Sequence, residues 1–302
     1  MAADDGVVLD EGAVVLEDAP PSNLDKLENS PPSNLDKFLK RFRALNPHFV
    51  RDDAEKLVCF FGDSDISHWK ELPRVRITGD EGASWARCVN VGVGGAEMLH
   101  VAFYSAECRA KYRPDVVVLC AGENDLGAGA APPTVFSYLE KSIAAFGHLD
   151  DATEQAQLRL RHDPQRTRDN ANVVSSLPID DTKSQQQDGM NASEFSRLRN
   201  NNTDEKVPIV YLCTKPEPVA DAELRREYER YDGRIKELFQ RYNSSCQEEL
   251  LYFIDNSDLR DPSLYAQDGL HLSRQGYQVW DARVRDAVER VLLKMDERVL
   301  AP

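Results

Sequence analysis

The chain has 302 residues, of which 41% are hydrophobic, and a formal net charge of −15 from 37 basic and 52 acidic residues. A chain of this length forms one or two domains. The negative charge disfavours nucleic acid and anionic membrane surfaces as partners, because their phosphates would repel it. No apolar run reaches the roughly 20 residues of a membrane span, and the first residues lack the pattern of a secretory signal, so we expect a cytoplasmic protein.

Residues 1–50 are predicted to form a disordered or weakly helical N-terminal tail. They contain the heptapeptide PPSNLDK twice, which is too few copies for a stacked repeat architecture. One short helix is predicted from Asn34 to Leu45, because a capping residue stands at its start. The domain itself is predicted to occupy residues 51–302.

From residue 56 onwards, short apolar runs alternate with helical patterns. The runs predict strands at 57–61, 87–91, 115–120, 207–213 and 250–254. The patterns between and after them predict helices at about 96–112, 133–147, 221–243 and 274–299. Uninterrupted apolar strands suit a parallel sheet covered on both faces, and the alternation predicts a three-layer α/β/α domain.

Residues 149–206 break this alternation. The segment is rich in Asp, Gln, Asn, Arg and Ser, with few apolar residues. A long stretch of this composition inside a domain is predicted to be a disordered surface insertion, and a substrate lid is the alternative.

Ser64 lies in the tetrapeptide Gly62-Asp63-Ser64-Asp65, directly after the first strand. A glycine that ends a buried strand predicts a tight turn, which displays the serine at the carboxyl edge of the sheet, where α/β folds place their ligands. A turn serine without chemistry is the common case. A nucleophilic role needs a base and an oxyanion site elsewhere in the chain.

Three distant segments offer those groups. Gly95, after the second strand, can expose a backbone N–H where no side chain blocks a ligand, and Asn124, after the third, can donate an amide N–H to an oxyanion. His271 follows Asp268 by three residues, so one turn can present a carboxylate to the imidazole. His68, four residues after Ser64, is the alternative base, although no carboxylate is obviously placed to orient it.

In this order and context, the four segments resemble the blocks of the SGNH hydrolase family, also called GDSL-type esterases and lipases. The matching stretches are Gly62-Asp63-Ser64, the glycine Gly95, Gly122-Glu123-Asn124-Asp125 and the Asp268–His271 turn. The resemblance extends over about residues 56–295, apart from the insertion. It implies a flavodoxin-like fold with a five-stranded parallel sheet of order 2-1-3-4-5.

The resemblance also implies a role for each matching residue. Ser64 would attack the acyl carbonyl, His271 would act as general base and then general acid, and Asp268 would orient His271. The backbone N–H groups of Ser64 and Gly95 and the side chain of Asn124 would hold the oxyanion. The family needs neither a metal nor an organic cofactor.

Two positions depart from the family pattern. Asp65 stands where relatives often have Leu, and a carboxylate there would oppose negative charge on the oxyanion unless it points away, caps the following helix or meets a cation. We favour helix capping. Ala96 stands after Gly95 where several relatives have Asp, which would change how the glycine loop is braced.

The candidate substrate contacts are Asp65, Lys215, Glu217 and Tyr265. Lys215 and Glu217 follow the fourth strand and Tyr265 precedes Asp268, so we expect them near the mouth of the site. The sequence shows no long apolar surface helix of the kind that would suggest activity on a lipid interface. The expected substrate is therefore a small-molecule ester with a short acyl chain, such as acetyl.

Two other functions remain open at the level of sequence. The same fold is also able to serve as a catalytically silent binding module, with Asp65 silencing the serine. A flavodoxin-like binder of a nucleotide or flavin is the third hypothesis, which the first loop disfavours because it has one glycine and two acidic residues where a phosphate cradle needs several glycines.

Overall fold

The structure is a computed structural model. It describes residues 34–77, 84–148, 206–246 and 248–300, without the side chains of the last two. The chain divides into two units, Met1–Asp36 and Lys37–Pro302. The first unit is described only at residues 34–36, where helix α1 begins. The predicted tail before residue 34 and the predicted insertion, up to residue 205, lie outside the described residues.

Seven strands are present in the described ranges. They are β1 (Leu57–Gly62), β2 (Arg76–Ile77), β3 (Ser84–Trp85), β4 (Arg87–Gly92), β5 (Val116–Cys120), β6 (Ile209–Leu212) and β7 (Leu251–Ile254). Five of them form one parallel sheet in the order β4-β1-β5-β6-β7. When only the five strands of this sheet are numbered along the chain, the order becomes 2-1-3-4-5. The expected fold is therefore confirmed. The pair β2–β3 forms a separate antiparallel ribbon.

Helices cover both faces of the sheet. They are α1 (Leu35–Ala44), α2 (Ser64–His68), α3 (Met98–Tyr112), α4 (Glu123–Gly127), α5 (Pro132–Ala145), α6 (Ala222–Ser245) and α7 (Arg274–Leu300), with a 3₁₀ turn at Pro262–Leu264. The Ser273 hydroxyl accepts from the Gly276 N–H at the start of α7 (3.3 Å), as a capping residue does. Within the described ranges, every helix is too short or too polar to cross a bilayer.

Alternate residues of each strand enter opposite layers of the core. In β1, Cys59 and Phe61 belong to the cluster that α3, α5 and α6 cover, whereas Val58 and Phe60 belong to the cluster beneath α7. Side chains of successive strand residues point to opposite faces, so an unbroken apolar run buries both. The double burial holds the carboxyl ends of β1 and β5 in place at one edge of the sheet.

The domain begins earlier than the boundary expected at residue 51. Phe42 on α1 is fully buried, and its ring stacks on Tyr104 of α3 at 4.5 Å. Phe38, one turn earlier, stacks on His100 at 4.0 Å. Two aromatic rings four residues apart form an apolar stripe on one face of α1. Residues 37–50 are thus part of the folded domain, which corrects the sequence-based boundary.

Candidate active site

Ser64 is the first residue of α2, immediately after β1. Asp63 caps the helix, because its Oδ1 accepts from the Asp65 N–H at 3.0 Å. The end of β1 approaches β5 closely: a Cβ built on Gly62 would lie 1.9 Å from the Cys120 carbonyl oxygen. Glycine is required here, and the first backbone N–H groups of α2 have no partner inside the helix. The half-buried Ser64 is thereby held at the sheet edge.

The glycine loop after β4 offers a second N–H group. Gly95 is exposed and adopts a φ of +75°, a conformation that favours glycine. The loop closes through a hydrogen bond from the Ala96 N–H to the Val93 carbonyl at 3.0 Å. A Cβ on Gly95 would meet nothing within 4 Å. No acceptor in the described part of the chain takes the Gly95 N–H, so it is available to a ligand.

Asn124 lies on α4 and is fixed by the same loop. Its Nδ2 donates to the Ala96 carbonyl at 2.9 Å, which leaves the second N–H of the amide for another acceptor. Its neighbour Asp125 accepts from the Met98 N–H at 2.7 Å, at the start of α3. Burial raises the pKa of Asp125 to about 7. With Ala96 after the glycine, the loop is braced by these two residues of α4.

The turn before α7 carries the imidazole and its carboxylate. Asp268 Oδ2 lies 2.8 Å from His271 Nδ1, and Asp268 Oδ1 accepts from the N–H groups of Leu270 and His271, each at 3.0 Å. The hydrogen bond with His271, together with that from Leu270, lowers the pKa of Asp268 to about 2. This pairing leaves Nε2 of His271 as the free end of the ring.

Helix α2 connects the serine to this imidazole. His68, one helical turn after Ser64, lies edge-on against His271 with 4.3 Å between ring centroids. Nε2 of His271 is buried and has no hydrogen-bond partner among the described residues, so it is not bonded to the Ser64 hydroxyl in this conformation. Hydrogen bonds between catalytic groups are often longer in unliganded enzymes than in the substrate complex.

His68 itself lacks an orienting carboxylate. Its ring is exposed, and none of the described carboxylates accepts a hydrogen bond from it. Partial burial lowers the pKa of His68, and the neighbouring His271 acts in the same direction. The contrast with the Asp268–His271 pair favours His271 as the base.

Lys215 lies in the interior, behind the serine. Its Nζ lies 2.7 Å from Asp65 Oδ2 and 2.8 Å from Glu217 Oε1, and it also bonds to Glu123 Oε2. The backbone N–H of Lys215 donates to the other oxygen of Glu123 at 2.6 Å. The hydroxyl of Tyr228 donates to Glu217 Oε2 at 3.1 Å. We call Lys215, Asp65, Glu123 and Glu217 the lysine cluster.

Burial and charge act against each other in the lysine cluster. Burial acts to lower the pKa of the Lys215 ammonium, but the three surrounding carboxyl groups outweigh it and hold that pKa well above its usual range. Burial raises the pKa of Glu123 well above its usual range, although Lys215 opposes the change. The Lys215 ammonium offsets part of the negative charge of the three carboxyl groups that surround it.

The role expected for Asp65 is corrected by these contacts. Asp63 is the residue that caps α2, and Asp65 meets the cation of Lys215 instead. The carbonyl of Asp65 also accepts from the Tyr277 hydroxyl at 2.8 Å. Ion pairing gives one oxygen of this carboxylate, which is only 2% exposed, a cationic partner, whereas Oδ1 has no hydrogen-bond partner among the described residues.

The other three candidate substrate contacts are also buried. Lys215 and Glu217 are each 1% exposed and Tyr265 is 6% exposed, which does not fit the expected place at a site mouth. The Tyr265 hydroxyl donates to the Leu259 carbonyl at 2.8 Å, and Tyr265 pairs with Leu272 across the turn that holds His271. These residues are therefore placed to support the site rather than to line it.

A cavity of about 460 Å³ opens beside the loop that follows β6. It is lined by Thr214, Lys215, Pro216, Pro218, Arg225, Tyr228, Glu229, Asp232, Ser257, Arg260 and Pro262. Ser64 and His271 are not part of its wall, so it is separate from the serine and the imidazole.

One buried trio has metal-ligand chemistry. The ligand atoms of Asp63, Asp65 and Cys120 lie within 4.8 Å of one another. Burial raises the pKa values of Asp63 and of the Cys120 thiol well above their usual ranges, and metal ions bind the deprotonated forms. The Lys215 ammonium already pairs with Asp65. The trio therefore fits an ammonium better than a metal ion.

Sequence reasoning missed Glu123, Asp63 and Tyr228. Glu123 and Asp63 each stand directly beside a motif residue at the end of a buried strand. A charged residue at such a position requires a buried partner, which is the signal that was available. For Glu123 the identity of that partner depends on tertiary structure, since Lys215 lies far away in the chain.

A family model matches the chain over residues 60–279, namely the GDSL-like Lipase/Acylhydrolase family. No curated protein matches. Among solved structures, an acylhydrolase-type protein from Bacteroides fragilis shares 16% identity, with a TM-score of 0.50 and coverage of 87% of this chain and 99% of that one. A GDSL-like lipase from Bacteroides thetaiotaomicron shares 16% identity, with a TM-score of 0.44 and coverage of 85% and 98%.

The SGNH-hydrolase family esterase AlinE4 shares 17% identity, with a TM-score of 0.38 and coverage of 81% of this chain and 99% of that one. At such identities the likeness to solved structures bears on the fold. The family match rests on the sequence itself and extends from β1 into α7. The chain thus belongs to the GDSL-like lipase and acylhydrolase family, a family of hydrolases that act on esters.

Proposed function

We propose that this protein is a serine esterase that hydrolyses small esters with short acyl chains through an acyl-enzyme intermediate. The observation that carries the proposal is the Asp268–His271 pair, because its 2.8 Å hydrogen bond leaves Nε2 free beside the helix of Ser64. Among the candidate bases, only His271 combines an orienting carboxylate with a position near the serine.

In the first half-reaction, Ser64 Oγ attacks the ester carbonyl carbon while its proton passes to His271 Nε2. The negative charge that develops on the carbonyl oxygen is stabilised by the N–H groups of Ser64 and Gly95 and by the amide of Asn124. His271 then gives the proton to the leaving alcohol, and an acyl group remains on Ser64. Asp268 stabilises the imidazolium and keeps the proton of the neutral ring on Nδ1.

In the second half-reaction, a water molecule takes the place of the alcohol. His271 removes a proton from the water as the oxygen attacks the acyl carbon, and the same donors hold the oxyanion. Collapse of this intermediate releases the acid, and the proton returns from His271 to Ser64 Oγ. The cycle needs no group beyond these residues and water.

The short acyl chain is supported by the character of the surface. Large apolar side chains that are exposed in the described ranges are scattered over separate elements, namely Val50, Trp85, Phe103, Val219 and Leu293. Proteins that bind an apolar interface present contiguous apolar patches.

The alternative, a silent binding module, depended on an uncompensated carboxylate at position 65. Pairing with Lys215 Nζ at 2.7 Å gives that carboxylate a cationic partner. The reason for expecting an inactive serine is thereby removed, which favours the esterase.

The test is turnover of p-nitrophenyl acetate, butyrate and octanoate by the wild type and three variants. We expect Ser64→Ala and His271→Ala to lower kcat about 10³-fold or more. His68→Ala is the matched control, since it removes the adjacent imidazole, and we expect kcat within about threefold of wild type. A fluorophosphonate should label Ser64 stoichiometrically. Equal turnover in wild type and Ser64→Ala, or a label at another residue, would contradict the proposal.

A further inference from the structure

We propose that Lys215 is a positioning residue that fixes the distance between the oxyanion donors of Ser64 and Asn124. The inference rests on the proposed esterase function and adds a residue to it that lies outside the motif blocks. Lys215 comes from the loop after β6, whereas the donors come from the segments that follow β1, β4 and β5. The residue is only 1% exposed, and its ammonium is already bonded to three carboxyl groups.

Lys215 is connected to Ser64 through Asp65. Asp65 is held at three points, because Oδ2 meets Lys215 Nζ at 2.7 Å, the carbonyl accepts from Tyr277, and the N–H donates to Asp63. The Ser64 N–H is one residue away from these contacts. A shift of Lys215 therefore moves the first turn of α2, and the nucleophile and its N–H donor with it.

Lys215 is connected to Asn124 through Glu123. Both carboxyl oxygens of Glu123 are bonded to Lys215, one to its backbone N–H and one to its ammonium. Glu123 directly precedes Asn124, whose amide continues to the Ala96 carbonyl at 2.9 Å, next to Gly95. A continuous path of bonded contacts thus leads from Ser64 through Lys215 to the other two donors.

Lys215 is itself held in place by Glu217 and Tyr228. Glu217 Oε1 lies 2.8 Å from Nζ, and Tyr228 on α6 donates to Oε2 of the same carboxyl. An ion pair with both partners below 4% side-chain exposure is held by several bonds and is shielded from salt and water. Such a cluster is rigid, which suits a device that sets distances between donors.

The test compares Lys215→Met with a matched control, Thr214→Val. Both variants alter a buried polar contact in the same loop, since Thr214 Oγ1 donates to Asp232 at 2.6 Å. Thr214 lies outside the path between the donors. We expect Lys215→Met to lower kcat about 10- to 100-fold with KM within about twofold of wild type, because a displacement of about 1 Å at reacting groups costs that much. Thr214→Val should keep the wild-type kcat.

Glu123→Gln is the milder variant, should Lys215→Met fail to fold. It keeps the acceptor for the Lys215 N–H and removes the one for the ammonium, so we expect kcat to fall about three- to tenfold at unchanged KM. For all variants, the rate of fluorophosphonate labelling per folded molecule should fall by the same factor as kcat. Folded protein is quantified by urea unfolding, which separates a loss of stability from a loss of positioning.

Wild-type kcat in both Lys215→Met and Glu123→Gln would overturn the inference and leave the esterase intact. An equal loss of kcat in Thr214→Val would also overturn it, because the loop as a whole would then be responsible. A wild type that neither turns over esters nor labels at Ser64 would overturn the proposed function and this inference together.

Discussion

The amide of Asn124 gives one N–H to the Ala96 carbonyl, and we propose that the other binds the oxyanion. We expect Asn124→Ala to lower kcat about 10²- to 10³-fold with little change in KM, because the lost donor acts on charge that develops only in the transition state. Steady-state kinetics with p-nitrophenyl acetate measures both constants.

Asn46→Ala is the control for this prediction. The Asn46 amide also donates to a backbone carbonyl, that of Asn90 at 3.0 Å, but Asn46 stands between α1 and β1, in a segment that supplies none of the oxyanion donors. It should lower the free energy of unfolding by about 1–2 kcal/mol, because alanine loses the hydrogen bond and tolerates the φ of +47° less well than asparagine, and it should leave kcat unchanged. Similar losses of kcat in both variants would mean that Asn124 acts through the fold and not on the oxyanion.

For individual residues, the sequence predicts contacts between neighbours in the chain well and contacts between distant residues poorly. The Asp268–His271 contact follows from a spacing of three residues in one turn, and the structure has it at 2.8 Å. The partner of Asp65 does not follow from any spacing, since Lys215 follows β6, which β5 separates from β1 in the sheet. Capping was the local explanation for Asp65, and a tertiary contact replaced it.

Among the elements, the end of β1 is the most constrained. We expect Gly62→Ala to lower the free energy of unfolding by several kcal/mol, because the added Cβ would lie 1.9 Å from the Cys120 carbonyl at a φ of +155°. Urea unfolding followed by circular dichroism measures the change.

Gly233→Ala is the matched control. Gly233 lies in the middle of α6, and a Cβ there would meet nothing within 4 Å. This substitution should stabilise the protein by about 0.5–1 kcal/mol, because alanine loses less conformational entropy in a helix. A Gly62→Ala protein as stable as wild type would contradict the close approach of β1 and β5.

The strands of the parallel sheet were predictable because their apolar runs are unbroken. The runs around Val116–Cys120 and Ile209–Leu212 are uninterrupted, and both form buried parallel strands. The ribbon of β2 and β3 was missed, since strands of two residues show no period. Helix α1 was predicted, but its place in the domain was not, because two aromatic residues in a polar segment gave a weak signal.

At the scale of the whole molecule, the buried His148 makes the stability of the fold depend on pH. His148 is fully buried, with Nδ1 2.9 Å from the Tyr242 hydroxyl and Nε2 2.6 Å from the Val207 carbonyl. Burial lowers the pKa of His148 to about 4, below the roughly 6.5 of an unfolded chain. Between these two values the unfolded state binds the proton more readily, so the stability that His148 contributes is complete above pH 6.5 and is lost as the pH falls towards 4.

We therefore expect the difference in unfolding free energy between wild type and His148→Gln to shrink by up to about 3 kcal/mol from pH 7 to pH 4. The difference is the right quantity, because Asp125 and Asp232, whose pKa values burial raises to about 7, act in the opposite direction over this range. A flat difference for His148→Gln would show that its ring is not buried as a neutral group.

The pairing of β5 with β6 divides the chemistry of the molecule into two halves of the chain. Ser64, Gly95 and Asn124 all precede this seam, and Asp268, His271 and Lys215 all follow it. In the proposed mechanism, the amino-terminal half supplies the nucleophile and the oxyanion donors, and the carboxyl-terminal half supplies the base that carries the proton. Neither half is chemically competent alone, so the onset of ester cleavage during refolding would time the closure of that seam.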